Sequence, residues 1–268
     1  NPNANTFWSF PFMVEREDRD FSQELRLSYD DDGRFSGLIG ASYLKLSAWA
    51  DLVNLFNEYT LGQSPNTRLA SSTNAPAKAE TTSYFFGASY KITDKLTLSG
   101  EGRQQKDDVR AFAGGSTITI SPAAGAQYGL APGAYAPFAP LVQREFNHFL
   151  PRVIADYKFT EDLMGYASWS KGVNVALASF NTNFLVLGSP QVLAAANDIG
   201  LGVFIDPEEI ENFEIGVKGS FFDGRLQGAL AIYRADWTEQ QNSRTTFVVD
   251  GAGTPQIVSG VANTGQVI

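Results

Sequence analysis

From Tyr84 onward apolar and polar side chains alternate: Tyr84, Phe86, Ala88, Tyr90 and Ile92 fall on one side, Ser83, Gly87, Ser89 and Lys91 on the other. After Thr93-Asp94-Lys95 the alternation restarts, with Leu96, Leu98, Gly100 and Gly102 set against Thr97, Ser99, Glu101, Arg103 and Gln105. Val153, Ala155, Tyr157 and Phe159 oppose Arg152, Asp156 and Lys158 in the same way. Phe213, Ile215, Val217, Gly219 and Phe221 oppose Asn212, Glu214, Lys218 and Ser220. A period of two is that of a β-strand with unlike faces. Each run spans about nine to eleven residues, the length a tilted strand needs to cross a bilayer. Helical periodicity is confined to one short Ala-rich candidate, Gln191 to Asn197.

Four tight connections punctuate the strands: Asp30-Asp31-Asp32-Gly33, Thr93-Asp94-Lys95, Thr160-Glu161-Asp162 and Phe222-Asp223-Gly224-Arg225. Asp and Gly suit hairpins because they tolerate the positive φ that such turns demand. The turns recur roughly every 63 to 67 residues, and polar Gly/Ala/Pro/Asn-rich stretches separate the hairpins, at about 49–80, 109–143, 174–208 and 241–262. The repeating unit is therefore strand, tight turn, strand, long loop. Short turns on one rim and long loops on the other match an outer-membrane barrel. A propeller blade repeats every 40 to 50 residues, and a sandwich has shorter strands with denser turns, so both fit less well. The fold class expected is an all-β antiparallel meander forming part of a large transmembrane β-barrel, with short periplasmic turns and long extracellular loops. About nine strands are expected, too few to close, hence an open curved sheet.

Composition narrows the function. Among 268 residues there is no cysteine, which excludes disulfides, thiolate metal sites and a thiol nucleophile. A net charge of −9 argues against nucleic acid, whose phosphates need clustered cations. No run of 18 apolar residues exists, so no transmembrane helix is expected, and barrel strands remain possible. Asn1 is not an initiator Met and no signal-peptide pattern follows it, while Gly265-Gln266-Val267-Ile268 stops where an apolar run begins. Both ends read as cuts through a longer protein, with residues 1–268 one partial barrel domain.

Individual motifs then resemble a known family. Phe21-Ser22-Gln23-Glu24-Leu25-Arg26-Leu27 ahead of an Asp-Gly turn is similar to a strand of TonB-dependent receptors. So are Phe86 to Leu98 followed by Gly102-Arg103, and Leu150-Pro151-Arg152-Val153 leading to Tyr166-Ala167-Ser168-Trp169-Ser170-Lys171-Gly172. Glu211-Asn212-Phe213-Glu214-Ile215-Gly216-Val217-Lys218-Gly219 and Val261-Ala262-Asn263-Thr264-Gly265 complete five resemblances in the family's order. Departures exist: Val175-Ala176-Leu177-Ala178-Ser179 stands where a Gly-Gly-Phe-Asn stretch is common, and the long loops match nothing. The resemblance implies energy-coupled uptake of a scarce solute such as a ferric siderophore, cobalamin or a glycan. It implies outer-membrane lipid, a small-molecule or metal-chelate ligand and a TonB-type energy-coupling complex as partners, the last acting through a plug and coupling segment absent here. A passive porin-like channel, an adhesin barrel and a soluble β-rich binding module are the alternatives.

Candidate chemistry is sparse. No catalytic constellation is recognisable, and neither a metal nor another cofactor is expected. The single histidine, His148, lacks partners nearby and reads as a rim residue. Asp30 to Gly33 could be imagined as a calcium loop, but a turn is needed there. Gly114-Gly115-Ser116 and Gly251-Ala252-Gly253 read as loop glycines, with no helix signal after them. Glu24 with Arg26, Glu101 with Arg103, and Glu214 with Lys218 are expected to face the lumen, either contacting a plug or simply pairing across the wall. Phe221, Phe222, Tyr157, Phe159 and Tyr90 stand where an interfacial girdle belongs. Trp49, Tyr59, Tyr135, Phe138, Phe180 and Asn181, assigned to the long loops, are the candidate ligand-contacting residues, with mutual loop packing as the alternative.

Overall fold

A computed structural model describes residues 12–55, 68–69, 76–175, 180–186, 189–249 and 251–267. Fourteen strands are assigned: β1 (Phe12–Asp30), β2 (Phe35–Leu55), β3 (Arg68–Leu69), β4 (Ala77–Lys91), β5 (Leu96–Phe112), β6 (Ile118–Ile120), β7 (Gly133–Tyr135), β8 (Pro140–Lys158), β9 (Leu163–Asn174), β10 (Glu208–Phe221), β11 (Leu226–Thr238), β12 (Gln241–Val249), β13 (Pro255–Asn263) and β14 (Gln266–Val267). One antiparallel sheet runs β1-β2-β4-β5-β8-β9-β10-β11-β14, while β6–β7 and β12–β13 are separate hairpins. The main wall is thus an open meander of eight long strands and the start of a ninth. No described helix is long and apolar enough to cross a membrane.

All four expected turns are present, and the side chains explain them. Asp30 and Asp31 accept the amides of Asp32 and Gly33 through Oδ1, at 3.0 and 2.7 Å. These carboxylates close a turn, and no group of three or more potential metal ligands exists among the described residues. The Thr93 hydroxyl accepts from Leu96 N–H at 3.0 Å, and the Thr160 hydroxyl from Asp162 N–H at 3.2 Å. Phe222, Asp223 and Gly224 all carry positive φ, the backbone of a tight hairpin reversal.

The alternating rows divide as expected. Leu25, Ile39, Tyr84, Phe86, Val153, Ile215, Leu230 and Ile232 all stand exposed on one face. The outward apolar stretch on β8 runs from Tyr157 back to Phe149, about nine residues. At ~3.3 Å per residue and a tilt near 40°, that spans roughly the 25 Å apolar band of an outer-membrane barrel. The girdle aromatics Tyr90, Tyr157, Phe159, Phe221 and Phe222 are exposed beside the short turns. Above the band the outward face turns charged, with Lys45–Glu80, Lys106–Glu145 and Lys171–Glu211 paired across neighbouring strands.

Loop boundaries differ from expectation. The 49–80 and 109–143 stretches lose residues to β2, β4, β5 and β8, and 241–262 is largely the β12–β13 hairpin. Beyond the apolar band both faces meet water, so the alternation that marks a strand fades while backbone pairing continues. Arg16 to Asp20, all exposed, show this in β1. The helical candidate appears as α2 (Pro190–Asp198), and α1 (Pro122–Tyr128) was unexpected. Above Arg152–Ser170 the β8–β9 ladder stops, although β8 continues on β5 and β9 on β10. Pro151 follows that last pair on β8 and has no N–H to offer β9.

Buried side chains are concentrated away from the wall's apolar face. Ile120 and Ala124 from the α1 segment, Phe184, Leu185, Val192 and Leu193 around α2, and Val258 and Ala262 of β13 form the main hydrophobic cluster. The segments between β5 and β8, between β9 and β10, and after β11 therefore pack on one another.

Candidate functional site

The polar face of the wall is built in rungs. Register places Arg26, Gly40, Phe85 and Arg103 in one line across β1, β2, β4 and β5. Phe85 leans over Gly40, where a Cβ would come within 2.6 Å of the Leu25 carbonyl oxygen as well as striking the ring. The Arg26 and Arg103 guanidinium carbons lie 5.6 and 5.4 Å from the ring centroid, within cation–π reach. Glu24 pairs with Arg26 at 2.8 Å, and Glu101 pairs with Arg152 at 3.7 Å. The expectation set Glu101 beside Arg103, but its ionic partner is the residue opposite it on β8.

Further round, Tyr166 covers its register partner Gly216 and donates to Glu214, while the Lys218 ammonium sits 4.8 Å from the Tyr166 ring centroid. All six expected lumen residues thus share the face opposite the exposed apolar rows. Glycine leaves the space that each aromatic side chain fills, so the wall stays closely packed where its neighbours are charged.

Two hollows on this face border the rungs just described. One, of about 540 Å³, is bordered by Arg152, Asp156, Tyr166, Ser168, Asn212 and Glu214. The other, of about 460 Å³, is lined by Glu24, Ser42, Thr81, Ser83, Arg103, Asn174 and Val175. Its floor is rigidly bonded. Asp107, only 3% exposed, accepts from the Thr81 hydroxyl at 2.6 Å and from Gln105 Nε2 at 2.9 Å. Ser42 and Ser83 share a hydrogen bond at 3.2 Å. Hydroxyls, amides and a guanidinium can hydrogen-bond a polar or anionic solute; they offer no activated nucleophile.

The expected loop contacts fare differently. Trp49 lies in β2, opposite Glu17, and not in a loop. Tyr59 lies outside the described residues. Tyr135 is half-buried against the loop cluster and its hydroxyl donates to Ala131 O at 2.9 Å. Phe138 is 49% exposed, with a left-handed φ of 61° and its amide donating to Gly114 O. Phe180 packs against both hydrophobic clusters and meets Phe204 edge-on at 6.1 Å. Asn181 Nδ2 donates to Gly202 O and Val261 O, both at 2.7 Å, and its Oδ1 accepts from Val261 N–H at 3.0 Å. In this structure its amide ties both ends of the 180–206 segment to β13. Burial against the loop cluster pushes the Tyr128 phenol upward, and a backbone hydrogen bond at Val203 partly offsets it.

Several residues of the hollows escaped sequence reasoning, among them Ser42, Thr81, Asp107 and Asn174. Their strand parity was the available signal. His148 sits on the polar face of β8 opposite Gln105, with Nε2 buried and without a hydrogen-bond partner.

Eight long antiparallel strands, an outward apolar band, tight turns at one rim and packed loops at the other define the wall of a large barrel. The family model described as "TonB dependent receptor-like, beta-barrel" matches residues 2–267, and the chain belongs to that family. Among solved structures it resembles the copper transporter OprC (13% identity, TM-score 0.61, 94% of this chain and 34% of that one). It also resembles the ferric yersiniabactin uptake receptor FyuA of Yersinia pestis (14%, 0.56, 86% and 30%). A third is the ferric-catecholate import receptor Fiu of E. coli K12 (18%, 0.55, 94% and 34%). At these identities the likeness is one of fold, and the chain spans about a third of each solved chain. No curated protein sequence matches it.

Proposed function

We propose that this chain is a wall segment of a TonB-dependent outer-membrane transporter for energy-coupled uptake of a scarce solute: a ferric siderophore, cobalamin or a glycan. The observation that carries this reading is the division of the wall, with exposed apolar rows outward and hydrogen-bonding hollows inward. The named structural neighbours handle metals and siderophores, which supports a metal-chelate ligand. Lipid surrounds the outward rows, and the polar face encloses the route of the solute. A plug and coupling segment elsewhere in the full protein engage the energy-coupling complex, because the outer membrane has no ATP with which to force off a tight ligand. In this reading Glu24, Arg26, Glu101, Arg103, Glu214 and Lys218 line the route, and Trp49, Tyr59, Tyr135, Phe138, Phe180 and Asn181 belong to the outer ligand-facing region.

The test is accumulation of radiolabelled ferric chelates, cobalamin and oligosaccharides by cells carrying the full-length gene, with and without TonB and with the proton-motive force collapsed. Uptake of one class that disappears in both treatments is the expected result. Uptake unaffected by either treatment, together with liposome swelling by the purified protein, would establish a passive pore instead.

A further inference from the structure

The ribbon that leaves β11 returns to β14 without losing register. Thr238 faces Gln266 in the wall, and Gln241 faces Asn263 at the base of the β12–β13 hairpin. Two residues on each strand lie between these ladders: Glu239 and Gln240, against Thr264 and Gly265. With equal numbers on both sides there is no extra residue to make a bulge. The break comes from backbone rotation. Glu239 has φ 54° and Gly265 has φ 56°, and the common register sets them opposite each other. Left-handed residues facing across one ribbon crease both strands at the same level.

Polar bonds hold the crease. Thr264 N–H donates to Gln240 O at 2.7 Å. Asn263 Nδ2 donates to Glu239 O at 2.8 Å and Asp206 O at 2.9 Å, and its Oδ1 accepts from Asp206 N–H at 2.8 Å. Gln241 N–H donates to the Glu208 carboxylate at 2.7 Å. Past the crease the hairpin lies on the 180–206 segment. Val258 and Ala262 are buried there, and Arg244 Nη1 donates to Ile199 O at 3.0 Å. The opposite face leaves Phe247, Val249 and Ile257 exposed.

We propose that β12–β13 is a hinged flap, a folded-over continuation of β11 and β14 that opens by straightening at the Glu239–Gly265 crease. Straightening returns Glu239 to the β region that L side chains prefer and extends the wall ladder through Gln240 and Thr264. It also lifts Val258 and Ala262 off the loop cluster, so crease and cluster pull in opposite directions. Two discrete arrangements follow, with the 180–206 segment covered in one and bared in the other. The argument rests on this ribbon's backbone and holds whether or not the barrel is a transporter.

Residues 1–268 contain no cysteine, so engineered pairs report cleanly once any cysteine elsewhere in the full-length protein is replaced by serine. A Cβ at Gly251 would lie 3.6 Å from Gln191 Cδ, which makes Gln191→Cys with Gly251→Cys a sensor of the closed flap for a short thiol-bridging reagent. In the full-length protein in isolated outer membranes, this pair should cross-link. Gly265→Val has open space around its side chain and acts only on the backbone. It should move the closed-to-open ratio about tenfold toward open and slow cross-linking accordingly. Glu239→Gly should speed it. Spin labels at Phe247→Cys and Ser99→Cys, read by pulsed EPR, should gain a second narrow distance population in Gly265→Val. Unchanged cross-linking and distances would overturn the proposal. So would a broad, featureless distance distribution, which would mean local unfolding in place of straightening.

Discussion

Phe85 lies over Gly40, its direct cross-strand partner, in the same rung as Arg26 and Arg103. The contact joins four strands through one ring. It shows how a wall lined with charge can still be densely packed: the glycine makes room, and the ring offers its face to two cations.

Gly40→Ala is therefore expected to destabilise the barrel by about 1–3 kcal/mol, because the added methyl meets both the ring and the fixed Leu25 carbonyl oxygen. Gly100→Ala, where nothing lies within 4 Å of the added carbon, should be neutral. Urea unfolding of the full-length protein refolded in bilayers checks the contrast. Equal effects at the two sites would refute it.

Leu230→Lys puts a charge in the outward apolar rows, opposite Val217. It should cost about 2–4 kcal/mol near mid-bilayer, whereas Ser99→Lys on the polar face should cost far less. The same unfolding assay reads both. A Lys tolerated equally on either face would mean that the rows do not face lipid.

Asn181→Ala removes the brace between the 180–206 segment and β13 and leaves Gly202 O and Val261 O without that donor. The expected loss is about 1–3 kcal/mol of local stability. Hydrogen exchange should show Val203 and Val261 amides losing protection while the β4–β5 ladder keeps its own. Uniform loss across the wall would contradict a local role.

Gly224 carries a φ of 83° in the β10–β11 turn. Gly224→Val should cost about 1–2 kcal/mol through backbone strain and slow refolding of that hairpin. Stopped-flow fluorescence of Trp237, at the far end of β11, follows it; an unchanged rate would show that the turn does not guide pairing.

Legibility followed physics. The four turns could be read because their backbones admit few residue types, and Asp32, Asp223 and Gly224 do adopt positive φ. The spanning parts of the strands could be read because lipid on one side and polar groups on the other enforce a period of two. Strand ends such as Arg16 to Asp20 could not, since water on both faces removes that contrast, and Gln241 to Val249 could not because the face it packs on is built by a distant segment of the chain. The two hollows were half legible: parity put Arg103 and Glu214 on the polar face, but that Val175 from just past the end of β9 lines one hollow beside β2, β4 and β5 is encoded by no local pattern. Asn181 bonds to Val261, 80 positions away, a tertiary partner that no local sequence pattern signals. The α1 helix was within reach, with Ser121 capping its start, Pro122 in its first turn and left-handed Gly129 ending it.

The account turns on which face meets lipid. Nitroxide labels placed singly at Leu25, Arg26, Tyr84, Ser99, Ile215 and Glu214 of the full-length protein in bilayers can be relaxed by oxygen, which partitions into lipid, or by a water-soluble nickel chelate. Oxygen should dominate at Leu25, Tyr84 and Ile215, and the chelate at Arg26, Ser99 and Glu214. Reversed preferences, or none, would contradict the barrel reading outright.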